Sequence, residues 1–267
     1  MSADGVALVL SGGAARGYAH VGVIKALETH GLRPDLVVGS SAGSIVGALY
    51  ASGLNGAQLE AAIAELGAGE FSDLEIRGLG ILPGTLGVVR GERLHSFIDK
   101  HAKRHRIEDF PIRFAAVATD LATGEARIFN MGDVGMAVRA SSAVPGIVAP
   151  ALIGGRLYSD GQLSSPVPVD AARRLGARTV VAVDVIYPPR DAAPRTAVGM
   201  LFQAFTITVH RLRTVELVRA DFVIAPDLGR TASQYSFGDR ERLVAAGERA
   251  ALEAIDRLRP LFSTEQR

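Results

Sequence analysis

The sequence predicts an α/β fold, a three-layer α/β/α sandwich around a mostly parallel central sheet. Short apolar runs typical of buried strands alternate with stretches whose apolar residues recur at helical spacing. Glycine-rich turns join the first two runs to the helices after them, as expected of strand–helix crossovers. At 267 residues, 48% of them hydrophobic, we expect a single domain over residues 1–267, with its core at about 6–258.

The elements follow from this alternation in chain order. Strands are predicted at residues 5–10, 36–38, 113–119, 126–130, 179–185 and 222–225, with two further β-like pieces in LIGGRLYSD, residues 152–160. Helices are predicted at residues 14–30, 44–51, 57–66, 93–104, 167–175, 200–218 and 239–258. Residues 77–91, glycine-rich yet apolar, form a candidate lid or a loop packed on the core, and the proline-rich residues 187–195 form a second loop.

Composition excludes several classes of function. The formal net charge is +1, so nothing favours a nucleic-acid partner, and the absence of cysteine removes disulfides, thiolate chemistry and cysteine-ligated zinc. The first residues have neither a basic segment nor a long apolar segment, so we expect a first strand rather than a signal peptide. No apolar run is long enough to span a membrane. We therefore expect a cytoplasmic protein that meets membranes only at their surface.

Ser41 is the candidate nucleophile. It is the central serine of Gly39-Ser40-Ser41-Ala42-Gly43, a G-x-S-x-G sequence between a strand-like run and a helix-like run. A sharp strand-to-helix turn exposes the side chain at its apex, and the glycines at 39 and 43 let strand and helix approach each other. The residues alone leave open a second interpretation, in which the serine caps the helix.

The turn after the first strand, SGGAARG at residues 11–17, offers backbone N–H groups to an anion. One interpretation is an oxyanion hole, with N–H groups near Gly12 to Ala14 facing Ser41. Another is dinucleotide binding, for which the acidic residue would be Asp35, although Asp35 precedes the second strand rather than ending it. A third is a tight turn that serves helix packing alone.

A serine nucleophile needs a base that accepts its proton. Among six histidines only His210 lies late in the chain, where a Ser-His-Asp hydrolase places its histidine, and TITVHRLRTVEL predicts a mid-helix packing position for it. His20 is predicted to pack in the first helix. A carboxylate is therefore considered: Asp160, followed by Gly161, which permits the positive φ of a tight turn, or Asp120, which is more typical of a β-turn.

The motifs together resemble those of the patatin-like phospholipase family, in its small single-domain bacterial branch. They are LSGGAARGYAHVGVIKAL, VVGSSAGSIVGALYASG, ATDLATGE, RASSAVPGIVAP and YSDGQLSSPVPV, and the similarity extends from Val6 to about Arg257. The resemblance implies a patatin-like α/β/α fold and hydrolysis of lipid acyl esters by a Ser-Asp dyad without histidine. It makes Ser41 the nucleophile, Asp160 the dyad aspartate with Gly161 in its turn, and Gly12, Gly13, Ala14 and Arg16 the oxyanion turn.

The chain departs from the family pattern at two positions. Ala14 stands where the family usually has a third glycine, so its amide can serve as a donor only if its φ is compatible. Gln162 stands where the family more often has glycine or alanine after Asp-Gly, which affects the shape of the pocket.

The resemblance implies no metal and no organic cofactor, a lipid or acyl-ester substrate, and transient contact with a membrane surface. Three alternatives stay open. The same dyad can serve a thioesterase or an acyltransferase, the fold can serve a regulatory scaffold with negligible turnover, and the glycine-rich turn can bind a nucleotide. The sequence leaves the oligomeric state open.

Overall fold

The structure is a computed structural model that describes residues 5–66, 89–189, 194–229 and 237–262. Most of the predicted lid, residues 77–88, lies outside the described residues, as do residues 190–193 of the second predicted loop. The strands are β1 Val6–Leu10, β2 Leu36–Ser40, β3 Arg113–Asp120, β4 Ala126–Phe129, β5 Ala151–Ile153, β6 Arg156–Asp160, β7 Thr179–Val183 and β8 Phe222–Ile224. The helices are α1 Tyr18–Thr29, α2 Ala42–Ala51, α3 Gly56–Glu65, α4 Glu92–His101, α5 Val134–Ser141, α6 Val169–Arg174, α7 Ala197–Leu217 and α8 Arg240–Phe262.

The eight strands form one mixed sheet in the order β5-β6-β3-β2-β1-β7-β8, with β4 also paired to β3. The pairings from β3 through β2, β1 and β7 to β8 are parallel, whereas β4, β5 and β6 form antiparallel pairs at the other end. The central parallel strands are buried on both faces, which explains why their sequences are continuous apolar runs.

Alternation along the strands separates the two faces of the sheet. In β1, Val6, Leu8 and Leu10 pack into a core cluster with α1, α2, α3, α4, α5 and α8, while Ala7 and Val9 pack into a second cluster with α6 and α7. Helices therefore cover both faces, and the predicted three-layer α/β/α sandwich is confirmed.

Strand β3 brings two distant segments together along one of its edges. Ala116 pairs with Gly39 of β2 and with Phe129 of β4, so β2 and β4 lie on opposite edges of β3. Two residues later, Ala118 still pairs with β4 on the β4 edge. On the edge that β2 occupied, Ala118 pairs with Asp160 of β6. Strand β6 therefore takes up the edge of β3 where β2 ends, and the end of β6 lies beside the end of β2.

One boundary and one helix differ from prediction in ways that matter for the site. Strand β2 extends to Ser40 and α2 begins at Ala42, so the strand-to-helix turn is concentrated at Ser41. Helix α5, which caps its first turn with the Asp133 side chain, was not predicted. None of the described helices is both long and apolar enough to cross a membrane.

Candidate active site

Ser41 occupies a strained backbone position between β2 and α2. Its φ is 51° and its ψ −123°, and Ala14 is the other non-glycine residue with a positive φ in the described part of the chain. The Ser41 carbonyl accepts hydrogen bonds from the Ser44 amide, at 2.8 Å, and from the Ser44 hydroxyl, at 2.7 Å. This geometry is that of a nucleophile elbow, in which surrounding hydrogen bonds hold a residue that its own backbone preference disfavours.

Gly39 and Gly43 are needed because backbone passes close to both. A Cβ on Gly39 would lie 2.4 Å from the carbonyl oxygen of Gly43, and a Cβ on Gly43 would lie 2.2 Å from the carbonyl oxygen of Leu10. The first glycine admits the start of α2, and the second admits the end of β1. The elbow therefore depends on both glycines for close approach rather than for a positive φ.

The structure brings Ser41 and Asp160 together. The Ser41 hydroxyl donates a hydrogen bond of 2.8 Å to Oδ2 of Asp160, whose Oδ1 accepts one of 2.9 Å from the Gln162 amide. Asp160 is fully buried and Ser41 is 5% exposed. No histidine takes part in this contact. The Ser41 hydroxyl bonds to a carboxylate at the end of β6, the strand that pairs with β3 just beyond the end of β2.

Burial raises the pKa of Asp160 from its ordinary value of 3.8 to about 7, against the opposing effects of the hydrogen bonds from the Gln162 amide and the Ser41 hydroxyl. A carboxylic acid in this range exchanges its proton near neutral pH, as a general base must. The electrostatic environment therefore suits proton transfer from the adjacent hydroxyl.

Gly161 has a different role from the predicted one. It does not have a positive φ, and it begins a short 3-10 turn, Gly161–Leu163. A Cβ at this position would lie 2.2 Å from the Val117 carbonyl oxygen and 2.5 Å from the Ser40 hydroxyl. The prediction of a positive φ is wrong, and the glycine is instead required because β2 and β3 pass directly beside it.

The glycine-rich turn places two of its amides at the site. The Gly12 amide donates to the Pro166 carbonyl at 3.0 Å, which occupies it. Among the described residues, the amides of Gly13 and Ala14 have no hydrogen-bond acceptor. Both residues line the cavity that contains Ser41. Ala14 has a φ of 50°, so an alanine adopts the left-handed conformation here.

The Arg16 side chain contacts the backbone of this turn. Its Nε donates to the Gly13 carbonyl at 3.4 Å, and its guanidinium lies over the Tyr187 ring, 5.6 Å from the ring centre. Arg16 also lines the cavity. The arginine is thus placed to hold the glycine turn in shape.

A cavity of about 120 Å³ opens beside Ser41 and has mainly apolar walls. Residues of α7 line part of the cavity, and two residues that follow α5 also line it. The lining residues other than those of the glycine turn and the elbow are Val144, Ile147, Gln162, Ile186, Tyr187, Phe202, Phe205, Thr206 and Val209. Gln162 packs against Gly12, where a Cβ would lie 2.3 Å from the amide carbon of the glutamine.

Ser141 was missed by the sequence analysis. Its hydroxyl accepts a hydrogen bond from the Ser41 amide at 2.9 Å and donates one to the Val117 carbonyl at 2.6 Å. It lies at the end of α5, the helix that was not predicted. Asp133 before apolar residues at helical spacing was the signal for that helix, because aspartate is a favoured N-cap.

The other predicted candidates lie in different surroundings. Asp120 pairs with Arg156 at 2.8 Å and accepts from the Ala122 amide, as a turn aspartate does. Asp35 binds the Val6 amide at 2.8 Å, at the amino end of β1, whereas the glycine-rich turn follows its carboxyl end. The dinucleotide interpretation therefore loses its acidic residue.

The two histidines considered as bases lie outside the cavity lining. His20 is fully buried, and burial lowers its pKa to about 4. One of its ring nitrogens, Nε2, lies 2.9 Å from the Ser11 carbonyl, so the neutral ring holds the start of the glycine turn. His210 lies within α7, as predicted.

One group of side chains in the described residues has the composition of a metal site. His95, Asp99 and Asp133 place a ligand atom each within 4.8 Å of one another. Their contacts are those of ion pairs, with Nε2 of His95 3.2 Å from Asp133 and 3.5 Å from Asp99. None of the three lines the cavity at Ser41.

Comparison with known proteins shows the family of the chain. The model of the family described as patatin-like phospholipase matches residues 8–173. The chain is 35% identical over 204 residues to an uncharacterized NTE family protein of Mycobacterium tuberculosis, a match over 75% of this chain and 55% of that protein. It is 31% identical over 239 residues to the human patatin-like phospholipase domain-containing protein 6, over 89% of this chain and 17% of that protein.

A third relative is lysophospholipase nte1 of Aspergillus fumigatus, 36% identical over 180 residues, which are 67% of this chain and 12% of that protein. The chain thus spans about half the length, or less, of these curated relatives. The crystal structure of VipD from Legionella pneumophila has a similar fold, with a TM-score of 0.61 at 16% identity over 95% of this chain and 67% of that chain. Because the family model matches residues 8–173, more than half of the chain, the chain belongs to the patatin-like phospholipase family.

Proposed function

We propose that the chain hydrolyses lipid acyl esters through an acyl-enzyme on Ser41, with Asp160 as the general base. The observation that carries the proposal is the 2.8 Å hydrogen bond from the Ser41 hydroxyl to the buried Asp160 carboxylate, at the edge of an apolar cavity. A nucleophile hydrogen-bonded to its base, with donors nearby for a developing oxyanion, is the arrangement that acyl transfer requires.

The first half of the reaction acylates the serine. The Ser41 oxygen attacks the ester carbonyl carbon while its proton passes to Oδ2 of Asp160, and the electron pair of the carbonyl bond moves onto oxygen. The amides of Gly13 and Ala14 are assigned to that oxyanion, each contributing on the order of 3 kcal/mol. When the intermediate collapses, the bond to the alcohol breaks, and the departing alcohol takes the proton from Asp160.

The second half releases the acid. A water molecule gives a proton to Asp160 and attacks the acyl carbon of the esterified Ser41, forming a second tetrahedral intermediate on the same donors. Its collapse breaks the bond to the serine oxygen, which recovers the proton held by Asp160. The products are a fatty acid and an alcohol, and the dyad returns to its starting state.

A lipid substrate is supported by the walls of the cavity and by the family. Phe202, Phe205, Val144 and Ile147 present apolar surface to Ser41, as an acyl chain requires. A curated relative carries the name lysophospholipase, and the family model carries the name phospholipase. Glycerophospholipids and their lyso forms are accordingly the substrate class proposed here.

The proposal is tested with a water-soluble chromogenic acyl ester, in parallel on the wild type and on Ser41→Ala, Asp160→Asn and His210→Ala. We expect turnover to fall at least about a thousandfold in the first two variants, because the nucleophile or its base is lost. His210→Ala is the control and should keep wild-type turnover. Mass spectrometry of wild type quenched during turnover should find the acyl group on the Ser41 peptide.

Two outcomes would contradict the assignment. If folded His210→Ala loses turnover like Ser41→Ala, the base is a histidine and the dyad is wrong. If the wild type turns over neither the chromogenic ester nor lysophosphatidylcholine, the chain is not a lipid acyl hydrolase.

A further inference from the structure

The outward side of α7 is unusually apolar. Eleven large apolar side chains are exposed in the described part of the chain, and six of them belong to this helix or to the residue after it. They are Val198, Met200, Leu201, Ile207, Val215 and Val218. Exposed positions recur along one stripe at helical spacing, namely Met200, Ala204, Ile207, Arg211, Val215 and Val218.

The same helix forms one wall of the cavity at Ser41. Phe202, Phe205, Thr206 and Val209 turn inward and line the cavity, while Met200 and Leu201 turn outward. One helix thus separates the apolar cavity from an apolar outer surface. The outer surface of α7 and the cavity at Ser41 are therefore one helix apart.

The charged residues that α7 and the residues just before it contribute are cationic as far as residue 215. Residues 195–215 contain three arginines and no acidic residue. Arg213 is paired with the buried Asp184, whereas Arg195 and Arg211 are exposed at the two ends of an uncharged stretch, residues 196–210 apart from His210. The first acidic residue, Glu216, is buried and accepts from the Val167 amide.

We propose that the outer face of α7 is the surface on which the protein docks to an anionic phospholipid membrane. Exposed apolar side chains flanked by arginines are the pattern of a helix lying in a membrane interface, where apolar groups enter the acyl boundary and cations meet lipid phosphates. A second copy fits this face less well, because a two-fold contact would bring the arginines of both copies into one interface. The inference rests on the proposed function in that the cavity receives a lipid.

The experiment measures co-sedimentation of the full chain with phosphatidylcholine vesicles that contain phosphatidylglycerol, and with vesicles of phosphatidylcholine alone. The test variant is Met200→Glu/Leu201→Glu. Its control is Met131→Glu/Leu152→Glu, which changes the same two residue types at matched exposure: 58% and 71% in the test pair, 68% and 65% in the control pair. Turnover of a water-soluble ester is measured on the same samples.

We expect the wild type to bind the anionic vesicles, with binding that weakens as salt is raised. The test variant should bind about tenfold more weakly and the control variant as the wild type does, while both keep wild-type turnover of the soluble ester. The binding assay does not depend on turnover, so a failure of the proposed function and a failure of this inference give different results.

Three results would overturn the inference. The first is that the wild type fails to sediment with anionic vesicles, and the second is that the two double variants bind equally well. The third is that Met200→Glu/Leu201→Glu changes a dimer into a monomer on size-exclusion chromatography without weakening vesicle binding. The last result would assign the face to a second copy of the chain.

Discussion

The amide of Ser41 is held by the hydroxyl of Ser141, 100 residues further along the chain, at 2.9 Å. The same hydroxyl donates to the Val117 carbonyl, so one serine at the end of α5 joins the elbow to the central strand β3. Ser41 has a φ that few serines adopt, and this contact is one of those that hold it there.

Replacing Ser141 by alanine should therefore loosen the elbow. The change leaves the buried Ser41 amide without its acceptor, which costs about 1–3 kcal/mol of unfolding free energy, and turnover should fall with it. Ser142→Ala is the control, because the buried hydroxyl of Ser142 has no hydrogen-bond partner in the described residues. Urea unfolding and ester turnover measure both effects. Equal behaviour of the two variants would refute a positioning role for Ser141.

The pH dependence of turnover should report Asp160. Since burial raises its pKa to about 7 and the base must be ionised, kcat/KM should increase about tenfold per pH unit below pH 7 and level off above it. The measurement is a pH–rate profile with a water-soluble ester, with circular dichroism at each pH to show that the protein stays folded. A profile already level at pH 5 would mean that Asp160 titrates as an ordinary aspartate or is not the base.

The same burial predicts that replacing the Asp160 carboxyl group by an amide increases the stability of the fold. The fold favours protonated Asp160, so stability is lost as pH rises from 3.8 through about 7. Asp160→Asn has no charge to bury and should unfold with a free energy on the order of 2–4 kcal/mol higher than the wild type at pH 8, with the difference vanishing near pH 4.

The control for this comparison is Asp120→Asn. Asp120 is also buried on the same sheet, yet its carboxylate is paired with Arg156, so its replacement should lower stability at pH 8. Thermal unfolding at pH 4 and pH 8 distinguishes the two variants. A destabilised Asp160→Asn at pH 8 would contradict the buried-charge argument.

Gly161→Ala should damage the site through backbone contact. The added methyl group meets the Val117 carbonyl oxygen at 2.2 Å, so the turn after Asp160 must shift, with a cost of about 1–3 kcal/mol in stability and a fall in turnover. A methyl group added at the exposed Gly238 would have no neighbour within 4 Å among the described residues, and φ there lies outside the left-handed region, so Gly238→Ala is a control for the glycine-to-alanine change itself. Unchanged turnover in Gly161→Ala would show that the dyad tolerates displacement of this turn.

Much of the fold was predictable because its pattern is local. Buried parallel strands are continuous apolar runs, and the turns after β1 and β2 carry glycines that the structure requires for close approach. Helix α5 was missed because it has eight residues and RASSAVPG, in which it ends, has the composition of a loop.

The site was predictable only in part. Ser41 is marked by its local sequence, whereas Asp160 on its own was scarcely distinguishable from Asp120, and the family resemblance decided between them. The contact of Ser141 with Ser41 and the occupation of the Gly12 amide by Pro166 depend on chain segments that meet only in the folded protein. Contacts between residues so far apart in the chain cannot be predicted from local sequence.

Because β2 and β6 lie on one edge of β3, the distance between Ser41 and Asp160 does not depend on how many residues separate them in the chain. Ser40, the residue before Ser41, pairs with Val117, and Asp160 pairs with Ala118, so the two segments are anchored at neighbouring residues of β3, about 3.3 Å apart along the strand. Insertions or deletions in the surface loops between residues 41 and 160 leave that spacing unchanged. Loop segments that line the cavity, such as the one with Val144 and Ile147, can therefore change without disturbing the contact between Ser41 and Asp160.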